Sequence, residues 1–535
     1  MSRLNKTISD QRCYRSGQIS AIPSSIVNNE SGDVCKARVW KTLLLLVSAI
    51  SVLLFEPLEP ATAHEAVLSS VDCWFSIPDG HQAHCYQFEV PASRAGRNDG
   101  TLILPVAVLS KKAGSAHDDP IVYLTGGPGS SVGLQTDAME EWWPYYDKVA
   151  WLQGRDLVLM DQRGAGLSRP SLACPELDKA GLHLLALSGD EPQRRTVYVE
   201  AAEACRKRLL AFGNNFDDFD TKATADDFAD LMQALQLKSW NIYGVSYGTR
   251  LALMLMRDHS AGLRSVVLDS VYPPEEHAYE NRRAAFDAAL ASASASCASH
   301  KACNDQEPNL LGAVYELIAR LSANPVMVSI DISGDRRQIP LTGSLLAERI
   351  FGVLSDEDAL DVLPSLITGI KSGDSKVQMD VVSNLAGSYT DSGYFDAGKY
   401  FAVDCEEEVP FTDYAQMQKD ISSHSLIDNY GIVADDWYAC AGWVRPGISA
   451  LIKAPVISSI PSLVLQGTFD PITPVEVGRG VAKRLDHSFY IEFTQVGHKI
   501  VDQSVCGQNV VAIFLDNPNT APSQSCMNGE PERPK

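Results

Sequence analysis

The sequence feature that most constrains the fold is an apolar run that ends at a serine between two glycines. The run covers residues 240–245, Ser246 follows it, and glycines stand at positions 244 and 248. A serine placed between a strand and a helix occupies a tight, strained turn that lifts its hydroxyl clear of the sheet. The flanking glycines let strand and helix approach closely. Because an apolar helical pattern follows over residues 251–256, we predict a strand, a turn that presents Ser246, and a helix.

Composition places the chain among large globular proteins. It has 535 residues, of which 45% are apolar and 21% are charged. These values exclude a disordered or fibrous protein, and the length allows two domains. The net charge of −22 argues against nucleic acid or an anionic membrane surface as the partner and favours solubility.

The first 63 residues have the order of a secretory signal peptide with an atypically long first region. Basic residues precede an uncharged apolar run over residues 43–55, and an A-x-A sequence ends at Ala63. This run is shorter than the roughly 20 residues of a membrane span, so we predict cleavage after Ala63 and a secreted or periplasmic protein. The long first region leaves two alternatives: translation from a site downstream of Met1, or an uncleaved leader that anchors the protein to the membrane.

The cysteine content supports export. Ten cysteines follow residue 63, and an even number in an exported protein predicts disulfides. Their connectivity does not follow from spacing, and buried free thiols are the alternative. The simplest arrangement joins neighbours in sequence: Cys73–Cys85, Cys174–Cys205, Cys297–Cys303, Cys405–Cys440 and Cys506–Cys526. No cluster has zinc-ligand spacing, so no metal is expected.

Short apolar runs bounded by turns predict a central sheet. Residues 67–112 hold β-rich runs that predict antiparallel strands at its start. Continuous apolar runs, typical of strands buried on both faces, follow at residues 120–124, 156–160, 240–245, 265–269, 462–467 and 487–493. Helical patterns separate most of these runs, including one over residues 224–237 with Thr224 as its predicted N-cap. This alternation predicts an α/β fold with a mostly parallel, doubly wound sheet.

A long helical segment interrupts the alternation. From about residue 273 to residue 460 the chain carries helical patterns and no run of the buried-strand kind. Such a stretch is too long for a loop in a compact domain. We therefore predict a sheet domain formed by residues 64–272 and 461–535, with residues 273–460 inserted as a helical cap.

The chain supplies the partners that a nucleophilic serine needs. A serine hydroxyl requires an adjacent base, and the base requires a carboxylate that fixes its tautomer. Asp470 follows the strand that ends at Gly467, and His498 follows the last strand. Both lie just past strand ends, where open α/β sheets place their sites. The order Ser246, Asp470, His498 predicts a catalytic triad of nucleophile, orienting acid and base.

Two alternatives compete for these roles. Ser131 lies in a second G-x-S-x-G sequence over residues 129–133, but no helical pattern begins at this serine. Asp269 also ends a strand and could serve as the acid.

A reaction through Ser246 also needs donors for an oxyanion. The expected donors are the N–H group after the nucleophile, on Tyr247, and one from the turn after an early strand, most simply on Gly127. A plain turn is the alternative interpretation of the glycine-rich residues 126–129. Arg163, in the segment over residues 161–168, is expected to hold its loop near this turn through hydrogen bonds.

Four motifs together resemble the proline iminopeptidase and tripeptidyl aminopeptidase family of serine peptidases. They are the glycine-rich turn over residues 126–129, the Asp-Gln-Arg-Gly segment over 161–168, the serine turn over 244–248 and the segment over 467–474. The C-terminal segment, from Cys440 to Cys526, also resembles that family. The resemblance implies an α/β-hydrolase fold with a helical cap and cleavage after residues or short peptides at a free N-terminus. Thr125 stands where proline iminopeptidases usually have histidine, so proline preference is not implied.

An exopeptidase of this kind needs an anion for the ammonium group of its substrate. Because unpaired charge in a closed pocket is costly, a buried carboxylate is suited to the task. Glu407, in the acidic sequence after Cys405, is the first candidate, and Glu276 and Glu280 are the second. A solvated acidic turn is the alternative interpretation of this sequence.

These observations predict an exported serine hydrolase, most simply an aminopeptidase that acts through an acyl-enzyme and needs no cofactor. The expected partner is a peptide with a free N-terminus or a small ester. The alternatives are a secreted esterase or lactonase on the same fold and a catalytically inactive binding protein. The sequence does not determine the oligomeric state.

Overall fold

The structure is a computed structural model that describes residues 65–96, 100–332, 334–390, 393–424, 435–444 and 449–528. The predicted signal peptide lies outside these residues. The described residues contain eleven strands: β1 (Val67–Val71), β2 (Ala83–Pro91), β3 (Thr101–Leu109), β4 (Ile121–Leu124), β5 (Leu157–Met160), β6 (Trp240–Val245), β7 (Leu263–Asp269), β8 (Val326–Ile332), β9 (Asp335–Leu341), β10 (Ser462–Gly467) and β11 (Ser488–Phe493).

Helices connect and cover these strands. They are α1 (Thr136–Lys148), α2 (Ala150–Gln153), α3 (Pro175–Ala186), α4 (Glu191–Ala211), α5 (Thr221–Ala234), α6 (Tyr247–Asp258), α7 (Ala278–Ser299), α8 (Lys301–Gln306), α9 (Leu310–Ala323), α10 (Gly343–Asp356), α11 (Ala359–Ser372), α12 (Ser375–Thr390), α13 (Ala397–Glu407), α14 (Tyr414–Ser423), α15 (Asp436–Ala439), α16 (Val475–Ala482), α17 (Ile500–Gln503) and α18 (Val505–Asp516). Single 3-10 turns occur at Phe216–Asp218, Val409–Phe411, Cys440–Gly442, Ala450–Lys453 and Ser525–Asn528.

Nine strands form one sheet in the order β1-β2-β3-β5-β4-β6-β7-β10-β11. The pairs among β1, β2, β3 and β5 are antiparallel, and every pair from β5 to β11 is parallel. This arrangement confirms the predicted mostly parallel sheet. The strand order reverses at β4, so β4 and β6 lie side by side although β5 comes between them in sequence. Open α/β sheets hold their sites at the carboxyl ends of strands at such a reversal.

The parallel strands are buried on both faces, which explains their continuous apolar runs. Ile242 of β6 packs into the hydrophobic core on one face, and Tyr243 packs into the core on the other. The sequence pattern of β6 thus reports burial but not which side of the sheet each residue faces.

One helix begins earlier than the sequence predicted. The prediction placed its N-cap at Thr224, whereas α5 begins at Thr221 with Asp220 as N-cap. The Asp220 side chain accepts a hydrogen bond from the Ala223 N–H at 2.6 Å, which satisfies one of the free donors of the first turn. Thr224 instead donates its hydroxyl to the Asp220 carbonyl at 2.9 Å.

The chain leaves the sheet after Asp269 and returns at Ser462. The intervening residues are mostly helical, but they also contain a two-stranded antiparallel sheet formed by β8 and β9, which the sequence prediction missed. Its signal is short: Val328 and Ile330 are buried and alternate with less buried neighbours.

All five neighbouring cysteine pairs form disulfides: Cys73–Cys85, Cys174–Cys205, Cys297–Cys303, Cys405–Cys440 and Cys506–Cys526. The simplest arrangement predicted from the sequence is confirmed. Such bonds are typical of proteins outside the reducing cytoplasm. Within the residues that the structure describes, no helix combines the length and apolar character needed to cross a membrane.

Candidate active site

Ser246 occupies the turn between β6 and α6 in a strained backbone conformation. Its φ of 55° and ψ of −126° lie in a region that L-residues rarely adopt. The start of α6 lies so close to the neighbouring strand β4 that a Cβ atom at Gly248 would be 2.0 Å from the Leu124 carbonyl oxygen. Glycine is therefore required at position 248, as the sequence motif predicted, and Ser246 stands at the carboxyl edge of the sheet.

Asp470 and His498 are brought together at the same edge. The Nδ1 atom of His498 lies 2.8 Å from Oδ2 of Asp470, and both side chains are buried. Since an ionised carboxylate only accepts hydrogen bonds, Nδ1 carries the proton that joins the pair. The second ring nitrogen, Nε2, is left for another partner.

The pair shifts the pKa of each member. Burial would raise the pKa of Asp470, but the charge of His498 and hydrogen bonds from His498 and Thr473 outweigh it and lower that pKa. Burial would lower the pKa of His498, but the charge and hydrogen bond of Asp470 outweigh it and raise that pKa. The site therefore favours a carboxylate beside an imidazole that accepts a proton readily.

Asp269, the alternative acid, has other partners. One of its oxygens accepts the Ile500 N–H at 2.8 Å, and the other accepts the Tyr243 hydroxyl at 2.8 Å and the Val501 N–H at 3.1 Å. Burial raises the pKa of Asp269 to about 6. It thus holds the start of α17, directly after His498, rather than the imidazole.

Ser131, the alternative nucleophile, is buried and hydrogen-bonded. Its hydroxyl donates to Asp161 at 2.8 Å, and the other oxygen of Asp161 accepts the Leu167 N–H at 2.8 Å. Ser131 therefore joins two loops, and the structure gives its hydroxyl a structural partner.

The glycine-rich turn lies against Ser246. A Cβ atom at Gly126 would be 3.5 Å from Ser246 Oγ, and Gly127 adopts a φ of +107° that favours glycine. Tyr247 is the first residue of α6, where backbone N–H groups have no acceptor within the helix. Both expected oxyanion donors thus belong to segments that border Ser246.

Gln162 rather than Arg163 contacts the glycine-rich turn. The Gln162 side chain donates to the Thr125 carbonyl at 3.1 Å. Arg163 instead pairs with Asp227 through two hydrogen bonds of 2.6 Å each. The prediction that Arg163 holds its loop through hydrogen bonds is confirmed, but these bonds join the loop to Asp227 of α5 and not to the glycine-rich turn.

Two cavities meet at Ser246 and are also both lined by Gly127 and Ile472. The first, which we name the cap cavity, has a volume of about 630 Å³ and is lined mainly by residues between β7 and β10. The second, which we name the histidine cavity, has a volume of about 790 Å³ and is lined by His498 and by residues of β4, α1 and β6. The candidate triad therefore opens onto two compartments.

The three predicted carboxylates occupy different places. Glu276 lines the cap cavity. Glu280 accepts the Asp413 N–H at 2.7 Å and does not line either cavity. Glu407 is buried and lines neither cavity, and it accepts the Thr221 N–H at 2.8 Å and the Thr221 hydroxyl at 2.6 Å.

Glu407 belongs to a buried ion-pair network with Arg250, Glu408 and Lys453. Arg250, on the helix that begins after Ser246, lies 3.5 Å from Glu407 and 2.6 Å from Glu408. Lys453 lies 2.8 Å from Glu408. This network satisfies Glu407, and the placement corrects the expectation that it would face the substrate.

Three acidic residues that the sequence analysis did not select line the cap cavity: Asp178, Asp404 and Asp436. Asp404 and Asp436 are buried, and Asp436 accepts hydroxyl hydrogen bonds from Tyr198 at 2.5 Å and Tyr400 at 2.9 Å. Burial raises the pKa of Asp404 to about 7 and that of Asp436 to about 6. The predicted Cys405–Cys440 disulfide could have indicated Asp404 and Asp436, because it places the residues around Cys405 close to those around Cys440.

Comparison with known proteins gives two family matches. Residues 119–304 match the α/β-hydrolase fold family, and residues 428–526 match a family described as TAP-like protein. The chain is 25% identical over 469 residues to serine protease Hip1 of Mycobacterium tuberculosis, covering 84% of this chain and 87% of that protein.

Two further relatives match a shorter part. Tripeptidyl aminopeptidase of Streptomyces lividans is 31% identical over 175 residues, which is 30% of each chain. A probable proline iminopeptidase of Streptomyces coelicolor is 28% identical over 169 residues, covering 31% of this chain and 36% of that protein. The solved proline iminopeptidase of Mycobacterium smegmatis has 14% identity and a TM-score of 0.35 over 81% of this chain and 98% of that chain. The sheet and the sequence matches together identify the chain as a serine hydrolase of the α/β-hydrolase fold with a TAP-like C-terminal segment.

Proposed function

We propose that the protein is an exported aminopeptidase that releases N-terminal residues or short peptides through an acyl-enzyme. Its similarity to a serine protease and to aminopeptidases supports peptide substrates. Five disulfides support an extracytoplasmic location, either secreted or periplasmic, or anchored through the leader.

The proposed chemistry begins at Ser246. Nδ1 of His498 is engaged by Asp470, so Nε2 takes the proton from the serine hydroxyl as Oγ bonds to the scissile carbonyl carbon. The N–H groups of Gly127 and Tyr247 stabilise the oxyanion. The C–N bond then breaks as Nε2 returns the proton to the leaving amine. Water, activated by the same imidazole, hydrolyses the acyl-enzyme and regenerates the serine.

The observation that carries the aminopeptidase proposal is the acidic lining of the cap cavity. Asp178, Glu276, Asp404 and Asp436 line it, and Arg282 is the one cation among its described lining residues. Carboxylates outnumber the cation, so a substrate ammonium group in this cavity gains opposite charge and hydrogen-bond acceptors. An ester substrate without an amine has no positive charge that could pair with these carboxylates. The lining therefore favours a peptide with a free N-terminus over the esterase or lactonase alternative.

The proposal is tested with aminoacyl, dipeptidyl and tripeptidyl amides, each with a free and with an acetylated N-terminus. We expect hydrolysis of the free forms and a loss of at least about 100-fold in kcat/KM on acetylation, since a charge-assisted contact is removed from a buried site. Asp436→Asn should raise KM for the free forms more than it lowers kcat. Equal turnover of free and acetylated substrates would contradict the aminopeptidase proposal and favour an esterase.

Ser246→Ala is the control for the mechanism. Without the nucleophile we expect activity to fall by about 10⁴-fold or more, with unchanged thermal unfolding. Retained hydrolysis in the folded variant would overturn the role of Ser246. An intact enzyme that hydrolyses no ester or peptide would instead support the binding-protein alternative.

A further inference from the structure

The histidine cavity offers a second binding compartment beside Ser246. Of the two cavities that meet at Ser246, only this one has His498 among its described lining residues. In the proposed mechanism His498 must deliver its proton to the leaving amine. The leaving amine therefore lies on the side of His498, while the ammonium end of the substrate lies toward Asp404 and Asp436 in the cap cavity.

From this division we propose that the histidine cavity binds the first residue of the leaving peptide and selects a large aromatic side chain there. The inference rests on the proposed aminopeptidase function and adds specificity on the leaving side of the cleaved bond. It assigns a role to the part of this cavity that lies beyond Ser246 and His498.

The wall of this cavity is aromatic and continuous. It is formed by five rings: Tyr123, Trp142, Tyr145, Trp151 and Tyr243. Successive ring centroids are separated by 5.2 to 5.8 Å, within the range of favourable aromatic contacts. A substrate ring placed on this wall extends an existing edge-to-face network and loses its contact with water.

Two of the five rings are held in place by hydrogen bonds to the protein. The indole N–H of Trp142 donates to the Val132 carbonyl at 2.9 Å, and the Tyr145 hydroxyl donates to Asp502 at 3.1 Å. These hydrogen bonds occupy the polar ends of the two side chains and set the orientation of their rings. A ligand would therefore contact the apolar ring faces. A pre-organised wall costs little conformational entropy on binding.

The charges of the cavity point to a leaving peptide rather than a free amino acid. Among its described lining residues, Glu141, Asp356 and Asp502 are acidic, and the basic groups are Lys499 and His498. A free carboxylate directly after the first leaving residue would meet this excess of acid and be repelled. An amide at that position carries no charge, so amidated or longer leaving peptides suit the cavity better.

The experiment uses two matched series, Ala-X-amide and Ala-Ala-Ala-X-amide, in which X is Phe, Leu, Ala or Gly. Release of X-amide is measured by chromatography, and kcat/KM is compared within the series in which that bond is cut. We expect Phe to exceed Ala by at least about 10-fold, the usual effect of filling an apolar pocket. Trp142→Ala and, independently, Tyr145→Leu should reduce this ratio toward one.

Two control variants separate this inference from general damage. Phe395→Ala, in the cap cavity, should change kcat/KM for all members of a series without changing the Phe-to-Ala ratio. Phe212→Ala, an exposed aromatic side chain, should leave kcat/KM unchanged. Equal rates for Phe and Ala, or a ratio unaffected by both wall variants, would overturn the inference.

Hydrolysis of alanine methyl ester tests the proposed function independently of the aromatic wall. Its leaving group is methanol, which is too small to reach the aromatic wall. Turnover of this ester and of the peptide series without any preference for X would leave the serine hydrolase in place and refute the aromatic compartment. Failure to hydrolyse the ester and both peptide series would refute the proposed function and the inference together.

Discussion

Hydrogen-bond donors from its own loop hold the Asp470 carboxylate in position beside His498. One oxygen accepts the N–H groups of Ile472 at 2.8 Å and Thr473 at 2.9 Å. The other accepts the Thr473 hydroxyl at 2.6 Å and faces His498 Nδ1. The loop therefore fixes the direction in which the imidazole must point, and with it the tautomer.

We expect Asp470→Asn to lower kcat by about 10³- to 10⁴-fold while changing KM little, because an amide stabilises the wrong tautomer of His498 and no longer offsets the imidazolium charge. The variant should also lower the pKa that limits kcat on the acid side, since the charge that raises the His498 pKa is gone. Steady-state kinetics between pH 5 and 9 test both effects.

Asp269→Asn is the matched control, because Asp269 is a buried aspartate at a strand end and was the alternative acid. Its contacts are to the backbone of α17 and to Tyr243, so its loss should lower the melting temperature. The folded variant should retain kcat within about 10-fold, as expected of a residue that acts only through position. A larger loss of kcat for Asp269→Asn than for Asp470→Asn would reverse the two roles.

At the scale of elements, α13 connects the cap cavity to the sheet. Just before it begins, the Asp396 side chain accepts the Gly166 N–H at 2.7 Å and the Ser171 hydroxyl at 2.5 Å. At its end Glu407 caps the first turn of α5 through Thr221. Between these anchors Asp404 faces the cap cavity. The helix thus sets the position of one acidic group relative to the candidate triad.

The Cys405–Cys440 disulfide joins the elements that carry the two buried aspartates. Asp404 directly precedes one half-cystine, and α15, which begins at Asp436, ends just before the other. We expect Cys405→Ala combined with Cys440→Ala to destabilise the fold by about 3–4 kcal/mol for a separation of 35 residues. It should also raise KM for substrates with a free N-terminus.

The Cys297–Cys303 pair provides the control. It spans only 6 residues, and its loss should cost about 2 kcal/mol with no change in KM. Chemical denaturation and steady-state kinetics on the two double variants make the comparison. An unchanged KM in the Cys405 and Cys440 variant would show that the disulfide does not position the acidic groups.

Across the whole molecule, burial raises the pKa of several carboxyl groups. The values rise to about 6 for Asp161, Asp269 and Asp436 and to about 7 for Asp404 and Glu348. A raised folded-state pKa means that the folded protein binds protons that the unfolded chain has released. These groups therefore stabilise the fold below about pH 4, and that stabilisation is lost as pH rises toward 7.

We predict that the melting temperature is highest at mildly acidic pH and falls by several degrees between pH 5 and pH 7. Asp404→Asn should flatten this slope, because its side chain no longer titrates. The pKa of Lys399 is lowered to about 7. This group makes the stability of the fold rise with pH, but only above pH 7. Differential scanning calorimetry in buffers of matched ionic strength measures the slope, and a melting temperature that rises from pH 5 to pH 7 would contradict the prediction.

The sequence predicts the elements whose signal is local. The serine turn, the buried strands and the order of Ser246, Asp470 and His498 each follow from short patterns beside strand ends. The side-chain environments do not follow in this way. In the sequence, Glu407 has the features of an exposed acidic turn, whereas in the structure it is buried and paired with Arg250 and Thr221. Asp404 and Asp436 both line the cap cavity only because the fold brings separate helices together.

The ion pair between Arg250 and Glu408 makes the segment between β7 and β10 difficult to exchange for a foreign one. Arg250 belongs to α6, the helix that begins directly after Ser246, whereas Glu408 is supplied by a segment distant in sequence. A chimera that receives a foreign segment without this acid would bury an uncompensated guanidinium four residues beyond Ser246, at a cost of several kcal/mol. We therefore expect recombination to succeed only when the arginine and its acidic partners are inherited together, which couples changes in this segment to changes in α6.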